Sequence, residues 1–170
     1  EAESFANSGG WEVDTQFIEI MGSPYLMAHG LGKPVKDAST QIHIKKAGKY
    51  RLWVRTKDWV AHWNAPGTPG RFQVKVNGDK ASTDFGISGA SWHWQEGGIV
   101  NLTKGKNTIA LQDLTGFNGR CDAIYFTSNL NEKPNNSSQV LSDWRKEKLK
   151  IAQRVNVKDG YDLVVVGGGY

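Results

Sequence analysis

Short segments of alternating apolar and polar residues, separated by glycines, make up the chain from Glu1 to about Asn129. Successive side chains of a β-strand point to opposite faces, so an apolar residue at every second position is typical of a strand buried on one face. In this stretch no apolar pattern with the period of a helix continues for about ten residues, the length of a normal helix. The pattern therefore predicts a fold built of strands. Five segments carry it: Gln41–Ile44, Tyr50–Val54, Phe72–Val76, Thr108–Leu111 and Ala123–Phe126.

Glycine-containing pairs mark the turns between these predicted strands. Asn77-Gly78 supplies the positive φ angles of a tight hairpin, and Ala47-Gly48 and Lys104-Gly105 separate strands in the same way. Hairpins of this kind join antiparallel strands, which bury their apolar faces when two sheets pack together. Residues 1–129 are therefore predicted to form an all-β domain, an antiparallel β-sandwich of jelly-roll type.

The composition changes after Asn129. Residues 131–138 are polar and contain a proline, as in a linker between domains, and Ser138 to Arg154 then has the pattern of a short helix. We assign 130–160 to this linker and helix. The apolar, β-branched run that follows, within 161–170, predicts a strand buried on both faces in a parallel sheet. Because the chain begins without Met and ends inside this pattern, we expect it to be a fragment of a longer protein.

Charge and composition exclude several classes of protein. The net charge is +4, but the 21 Lys and Arg are spread among 17 Asp and Glu, so no nucleic-acid partner is predicted. A hydrophobic fraction of 38% is too high for a disordered chain, and no apolar run is long enough to span a membrane. The single cysteine, Cys121, cannot form an internal disulfide and is predicted to be small buried filler.

Several ordered motifs in the first three quarters of the chain resemble one family of domains. They are Glu1-Ala-Glu-Ser-Phe5, Gly9-Gly-Trp11, Ala47-Gly-Lys-Tyr-Arg-Leu-Trp-Val-Arg55 and Cys121-Asp-Ala-Ile-Tyr-Phe126. Together they resemble the galactose-binding-like β-sandwich of carbohydrate-binding modules. In those modules an opening Glu-x-Glu strand and an Asp at the start of the last strand often hold a structural calcium. The resemblance implies a calcium site at Glu1, Glu3 and Asp122.

Elementary electrostatics leaves two readings of these carboxylates. Glu1 and Glu3 are two residues apart, so in a strand they share a face, where their charges repel unless a cation or a proton intervenes. Carboxylate oxygens are ligands that suit calcium. The alternative is that both are edge-strand carboxylates in water, with Glu1 frayed at the terminus.

The segment Tyr161-Asp-Leu-Val-Val-Val-Gly-Gly-Gly-Tyr170 resembles the first strand and opening turn of a flavin-binding Rossmann domain. In the motif G-x-G-x-x-G the first glycine makes the tight turn and the second lets the backbone approach a pyrophosphate. Gly167 and Gly169 match these two positions. The resemblance implies a bacterial FAD-dependent oxidoreductase linked to polysaccharide metabolism, of a type sometimes labelled a xanthan lyase. It also favours export to the periplasm or cell surface, and implies that FAD binds in a downstream domain and not to this fragment.

Aromatic residues in predicted loops suggest a sugar-binding rim. A sugar stacks its C–H faces on aromatic rings and needs polar side chains for its hydroxyls. Three glycine-rich connections supply both kinds of residue, and we predict that they meet at one rim. Two alternatives remain: the rings fill satellite cores under loops, or the rim docks the flavin domain. The candidate ligand-binding residues are Trp59, His62, Trp63, Asn64, Trp92, Trp94 and Asn118.

We therefore expect a noncatalytic module that binds or positions glycans, attached to an FAD-dependent oxidoreductase. The structural alternative is a domain that packs on its own downstream flavin domain and binds no sugar. An enzymatic alternative, cleavage of a polysaccharide by the sandwich itself, needs paired carboxylates from Asp58, Glu96 or Asp113. No spacing of these residues supports such a pair, so we expect no catalytic activity in this chain.

Overall fold

Nine strands and two short α-helices form the part of the chain described by the structure, a computed structural model that covers residues 1–151 and Gly160. The strands are β1 (Trp11–Asp14), β2 (Tyr25–His29), β3 (Ala38–Ile44), β4 (Gly48–Thr56), β5 (Phe72–Val76), β6 (Asp79–Lys80), β7 (His93–Leu102), β8 (Gly105–Asp113) and β9 (Phe117–Thr127). The helices are α1 (Ile18–Met21) and α2 (Ser138–Leu149), and single 3₁₀ turns lie at Ala2–Ser4 and Ala61–Trp63.

The strands form two sheets. One has five strands in the order β1-β2-β9-β4-β7, and the other has four in the order β3-β8-β5-β6. Every pairing is antiparallel. Six of the eight connections between successive strands pass from one sheet to the other. Two of them, β3 to β4 and β7 to β8, contain the predicted glycine turns. The prediction of an antiparallel jelly-roll β-sandwich is confirmed.

The Asn77-Gly78 turn has the predicted geometry. Both residues have positive φ, 53° and 96°, and Val76 pairs with Asp79 across them. These angles are those of a two-residue hairpin turn whose twist matches that of the flanking strands. The five predicted strand segments likewise lie within β3, β4, β5, β8 and β9.

The main core fills the space between the two sheets. Phe72 on β5 lies at its centre, with its ring 5.5 Å from that of Trp11 and 5.7 Å from that of Phe85. Buried aliphatic residues surround these rings, because each strand turns every second side chain inward. Those from the central strands include Leu52, Val54, Val74, Ile109 and Leu111.

A second apolar layer covers the outer face of the five-stranded sheet. Helix α2 packs Leu141 and Trp144 against Trp53 and Trp94 of this face. The ring centroid of Trp144 lies 4.8 Å from that of Tyr125, and the two rings meet edge to face. The helix, which was predicted to lie outside the sandwich domain, is therefore an additional layer of the same folded unit.

The predicted linker also follows this outer face. Glu132 accepts hydrogen bonds from Tyr125 at 3.0 Å and Thr127 at 2.6 Å through its carboxylate, and from the Trp53 indole at 3.1 Å through its backbone carbonyl. Asn136 donates to the backbone carbonyl of Trp92 at 2.8 Å. Polar composition predicts a free connection, but these polar groups are hydrogen-bonded to the sheet.

Three expectations about the ends of the chain change or remain open. The opening Glu-x-Glu segment is a 3₁₀ turn, closed by a 3.0 Å hydrogen bond from Phe5 N to Ala2 O, so the predicted strand there is wrong. The predicted helix Ser138–Arg154 ends earlier, at Leu149, where Lys150 adopts a positive φ of 56°. The predicted Rossmann strand, with Gly167 and Gly169, lies outside the described residues. Within residues 1–151 no helix has the length and apolar character that crossing a bilayer requires.

Candidate functional site

The long connection from β4 to β5, residues 57–71, forms a structured loop at one end of the sandwich. Asp58 fixes its start: its backbone N–H donates to Gly89 O at 2.8 Å, and its carboxylate accepts from Val60 N at 3.0 Å. Gly70 fixes its end by donating to the Thr115 hydroxyl at 3.2 Å. These bonds hold the loop by its two ends and leave its tip in solvent.

The loop carries two neighbouring indole rings. Trp59 is half-buried, and its indole N–H donates to the backbone carbonyl of Phe117 at 2.8 Å. Trp63 is 69% exposed, and its ring centroid lies 6.2 Å from those of both Trp59 and His62. A side chain at position 70 would come within 2.8 Å of the Trp59 ring, so glycine there lets the ring sit against the backbone. The arrangement presents one fixed and one exposed aromatic ring.

Two clefts adjoin this loop. One, of ≈ 430 Å³, is lined by Asp58, Asn64, Thr68 and Ser88 and is mostly polar in character. The other, of ≈ 270 Å³, is lined by His62 together with residues that flank α1, β4 and β7, among them Phe17, Lys57 and Trp92. Asn64 and His62 thus lie on different clefts of the same loop, with Trp63 between them in sequence.

Asn118 lies at the start of β9, next to the carbonyl that anchors Trp59. It has a positive φ of 56°, and its side-chain oxygen lies 2.6 Å from His29 Nδ1. This places an exposed imidazole and an amide at the same end of the sandwich as the two indoles. The structure therefore brings together Trp59, His62, Trp63, Asn64 and Asn118 around one loop and one strand end.

The surroundings of Trp59 are basic. The Arg120 guanidinium lies 5.5 Å from the centroid of the Trp59 ring, and the side chain is only 8% exposed. Burial lowers the pKa of Lys57, and the charge of Arg120 lowers it further. A cation above an indole face polarises the contact and holds the ring in place. Two basic side chains, Lys57 and Arg120, thus lie beside the aromatic rings of the rim.

Trp92 and Trp94 do not belong to this rim. Trp92 is 5% exposed and packs against Tyr25 at 5.0 Å and Phe17 at 5.9 Å. Trp94 is 6% exposed and lies under α2, 5.8 Å from Trp144. β7 begins at His93, so Trp94 is a strand residue that points to the outer face. The expectation that both rings stand on a loop rim is wrong, and the alternative, that they fill satellite cores, describes them.

Three further residues at this end were not among the sequence candidates. Phe117 is 47% exposed and Leu31 is 80% exposed, and His29 holds Asn118. The sequence shows a glycine pair, Gly30 and Gly32, that marks a turn. In the structure a side chain at position 32 would come within 3.1 Å of the Phe117 ring. Only the fold shows that this turn reaches β9.

The carboxylates proposed for the enzymatic alternative have local structural partners. Asp113 is 3% exposed and accepts backbone N–H groups of Val35 at 2.9 Å and Gly116 at 3.0 Å. Glu96 forms an ion pair with Arg51. Asp58 holds the loop, as described above. Each of the three stabilises a turn or a strand pair, which gives no support to a catalytic pair.

A second polar cluster lies where the chain's first residues meet β9. Glu1, Glu3 and Asp122 each offer a carboxylate oxygen, and these three oxygens lie within 4.8 Å of one another. The juxtaposition that the resemblance implies is therefore present, although a 3₁₀ turn and not a strand produces it. Two arginines enter the same cluster: Arg55 Nη1 donates to Asp122 at 2.8 Å, and Arg145 Nη1 donates to Asp122 at 2.9 Å.

The charges in this cluster are unequally compensated. Burial raises the pKa of Glu3 to about 7, and the neighbouring charges of Glu1 and Asp122 add to this effect. Glu3 Oε2 is buried and has no hydrogen-bond partner among the described residues. Burial lowers the pKa of Arg145, but Asp122 and Glu1 more than offset this, so the pKa lies above its ordinary value. Glu1 and Asp122 are thus neutralised by guanidinium groups, and Glu3 is not.

This arrangement does not fit a calcium ion. Calcium takes six to eight oxygens at about 2.3–2.6 Å, whereas the oxygens of Glu1 and Asp122 are turned toward guanidinium nitrogens. Only Glu3 retains an oxygen without a partner. The calcium site stays a prediction that requires Arg145, which holds the oxygens of both Glu1 and Asp122, to move away.

Cys121 lies next to Asp122 but faces the core between the sheets. It is fully buried, and burial raises the pKa of its thiol well above the ordinary value. A thiol that resists ionisation and contacts no solvent is a poor nucleophile and a poor metal ligand.

No protein-family model and no curated protein matches the sequence. Solved structures do match. The β-(1,4)-mannanase GH26-CBM35 of Podospora anserina aligns over 79% of this chain with 24% identity and a TM-score of 0.59, and the chain covers 28% of that enzyme. The family 35 carbohydrate-binding module of Clostridium thermocellum aligns over 74% with 17% identity and a TM-score of 0.54, and the chain covers 93% of it. The cycloalternan-forming enzyme of Listeria monocytogenes aligns over 75% with 18% identity and a TM-score of 0.55, and 12% of it is covered. At these identities the likeness shows the fold, and this chain has the β-sandwich fold of family 35 carbohydrate-binding modules.

Proposed function

We propose that this chain is a noncatalytic glycan-binding module and that it contacts its ligand through the loop 57–71 and the start of β9. The observation that carries the proposal is the indole of Trp63, 69% exposed beside the anchored ring of Trp59. Covering a large exposed ring removes apolar surface from water, which is favourable, and sugar C–H faces stack on such rings. The fold that the chain shares with carbohydrate-binding modules supports the same role.

The polar residues around the two rings suit a saccharide. Asn64 and His62 flank Trp63 on the loop, and Asn118 and His29 lie at the start of β9 and the end of β2. Their amides and imidazoles offer both donors and acceptors, which is what equatorial hydroxyls need. We assign orientation of the sugar to these groups and most of the binding energy to the rings.

A glycan array followed by calorimetry tests the proposal. The array identifies a glycan that the wild type binds. Replacing Trp63 by Ala should then reduce the binding free energy for this glycan by about 2 kcal/mol or more, as expected for an interface anchor. The melting temperature should stay close to that of the wild type, because the ring is exposed. Ile99→Ala, which removes a 50% exposed apolar side chain from β7, is the matched control and should bind normally. Unchanged affinity in the Trp63 variant contradicts the assignment of the site.

A structural role is the second candidate, and the same exposed ring favours it. In that case the rim packs on a downstream flavin domain and binds no sugar, since exposed apolar patches also mark protein interfaces. Tryptophan fluorescence separates the two roles. In a structural role the Trp63 ring is covered in the longer protein, so Trp63→Ala should change the tryptophan emission of that protein. The isolated chain should bind no glycan on the array.

We propose further that the longer protein is an FAD-dependent oxidoreductase linked to polysaccharide metabolism and is exported. The support is the glycine pattern at Gly167 and Gly169 after an apolar run. A chain extended through the downstream region should carry FAD, released on denaturation and seen by its absorption spectrum. A colourless extended protein that takes up no FAD on reconstitution contradicts the oxidoreductase. Recovery of that protein in the cytoplasm of its own cells would contradict export.

A further inference from the structure

Arg145 occupies the centre of the carboxylate cluster. Its Nε and Nη2 donate to the two carboxylate oxygens of Glu1 at 3.1 and 2.5 Å. Its Nη1 and Nη2 donate to the two oxygens of Asp122 at 2.9 and 3.2 Å. Nη2 also donates to the Ser23 hydroxyl at 2.7 Å, and Nη1 to the backbone carbonyl of Met21 at 3.4 Å. A single guanidinium thus joins the N-terminus, the segment before β2, and β9.

The position of Arg145 on α2 explains how it reaches this cluster. Leu141 and Trp144, four and one residues earlier, lie on the helix face that packs on the sheet. Residues three and four apart share a helix face, so Leu141 and Arg145 both point toward the sheet. Two kinds of contact therefore hold α2 on the sheet: apolar packing of Leu141 and the hydrogen bonds of the Arg145 guanidinium.

The two guanidinium groups in this cluster leave no unpaired charge on Glu1 or Asp122 for a metal ion. Asp122 is completely buried and is already paired with both Arg55 and Arg145. A divalent ion placed between Glu1 and Asp122 would lie beside two guanidinium charges at short distance. It would also need oxygens that Arg145 now uses for hydrogen bonds. The ion and Arg145 compete for the same two carboxylates.

We propose that Arg145 is the resident cation of this cluster, and that a divalent metal ion binds to Glu1, Glu3 and Asp122 only when α2 has left the sheet. Docking of the helix and binding of the metal thus exclude each other. In the docked state the fold is independent of calcium. This inference does not depend on the proposed glycan site.

Thermal unfolding with and without calcium tests the exclusion. Wild type and Lys146→Gln, a charge-matched control on the exposed side of α2, should melt at the same temperature in chelator and in saturating calcium. Arg145→Gln removes the competitor, and calcium should raise its melting temperature by roughly 5 °C or more. A wild type that calcium stabilises as much as Arg145→Gln overturns the proposal, since metal and arginine would then coexist. The proposal is also overturned if calcium leaves the melting temperature of Arg145→Gln unchanged.

A second variant covers the case in which Arg145→Gln fails to fold. Leu141→Ala weakens the docking of α2 but keeps the arginine. Because calcium then competes with a weaker contact, it should shift the tryptophan emission of this variant, as Trp144 leaves the rings of Trp94 and Tyr125. Emission that calcium leaves unchanged overturns the proposal. Folding of Arg145→Gln in calcium but not in chelator supports it.

Discussion

Replacing Leu141 by Ala tests whether α2 is an energetic part of the sandwich. Leu141 is 3% exposed and lies in a cluster with Trp53, Trp94 and Ala123. The neighbouring Val140 is 49% exposed on the other side of the same helix. Val140→Ala is therefore a matched control, an aliphatic residue of the same helix shortened in solvent. The two variants differ mainly in burial.

Burial sets the size of the expected effect. Leu→Ala in a packed core costs about 2–5 kcal/mol, the upper part of that range coming from cavities that cannot collapse. The Leu141 cluster is covered by a single helix that can settle inward, so we expect a loss of about 2–3 kcal/mol in the free energy of unfolding. Val140→Ala should change it by about 0.5 kcal/mol or less, and alanine is the better helix former.

Urea unfolding, followed by tryptophan emission and by far-UV circular dichroism, measures both variants. Coincident curves from the two probes would show that helix and sandwich unfold together, so that the full loss appears in one transition. If the emission changes first, the helix detaches in a separate step and the loss appears in that step. Equal stability of Leu141→Ala and Val140→Ala would refute the inference that α2 is packed on the sheet.

Two further predictions concern the interior near β9. Burial raises the pKa of Glu3 from 4.5 to about 7, so the folded state favours the protonated carboxyl. The resulting contribution to the free energy of unfolding is complete below pH 4.5 and is lost as the pH rises through about 7. Glu3→Gln, unfolded in chelator across this range, should lose less stability than wild type on going from pH 5 to pH 8; parallel profiles would contradict the buried protonated carboxyl. Cys121, the only cysteine, should react with a thiol reagent only after unfolding, and fast labelling of the native protein would show that the space between the sheets is open.

A strand is easiest to recognise in the sequence where one of its faces is polar. In β3 the residues from Gln41 to Ile44 alternate between exposed and partly buried positions, and the period of two is visible in the sequence. In β2 both Tyr25 and Leu26 are buried, one under the outer layer and one in the core, so no alternation appears. The strand was missed because its second face is covered by residues remote in sequence.

The candidate rim was predicted only in part for a related reason. The glycines before Trp92 indicate a loop, but the strand that follows includes Trp94, and what covers this ring is a helix beginning at Ser138. No local pattern reveals such a contact. The arginines around Asp122 were missed in the same way, since Arg55 and Arg145 are 67 and 23 residues away along the chain.

The ion pair between Glu1 and Arg145 also has a consequence for the order in which the protein folds. The two residues are 144 positions apart, so Glu1 stays without its partner until nearly the whole described chain is available for folding. Until then Trp53, Trp94 and Tyr125 on the outer sheet face have no cover, and uncovered apolar surface is what nascent chains aggregate through. Contacts of such long range also slow folding. Closure of α2 over this face is therefore a late step, made by the segment that immediately precedes residues 152–170.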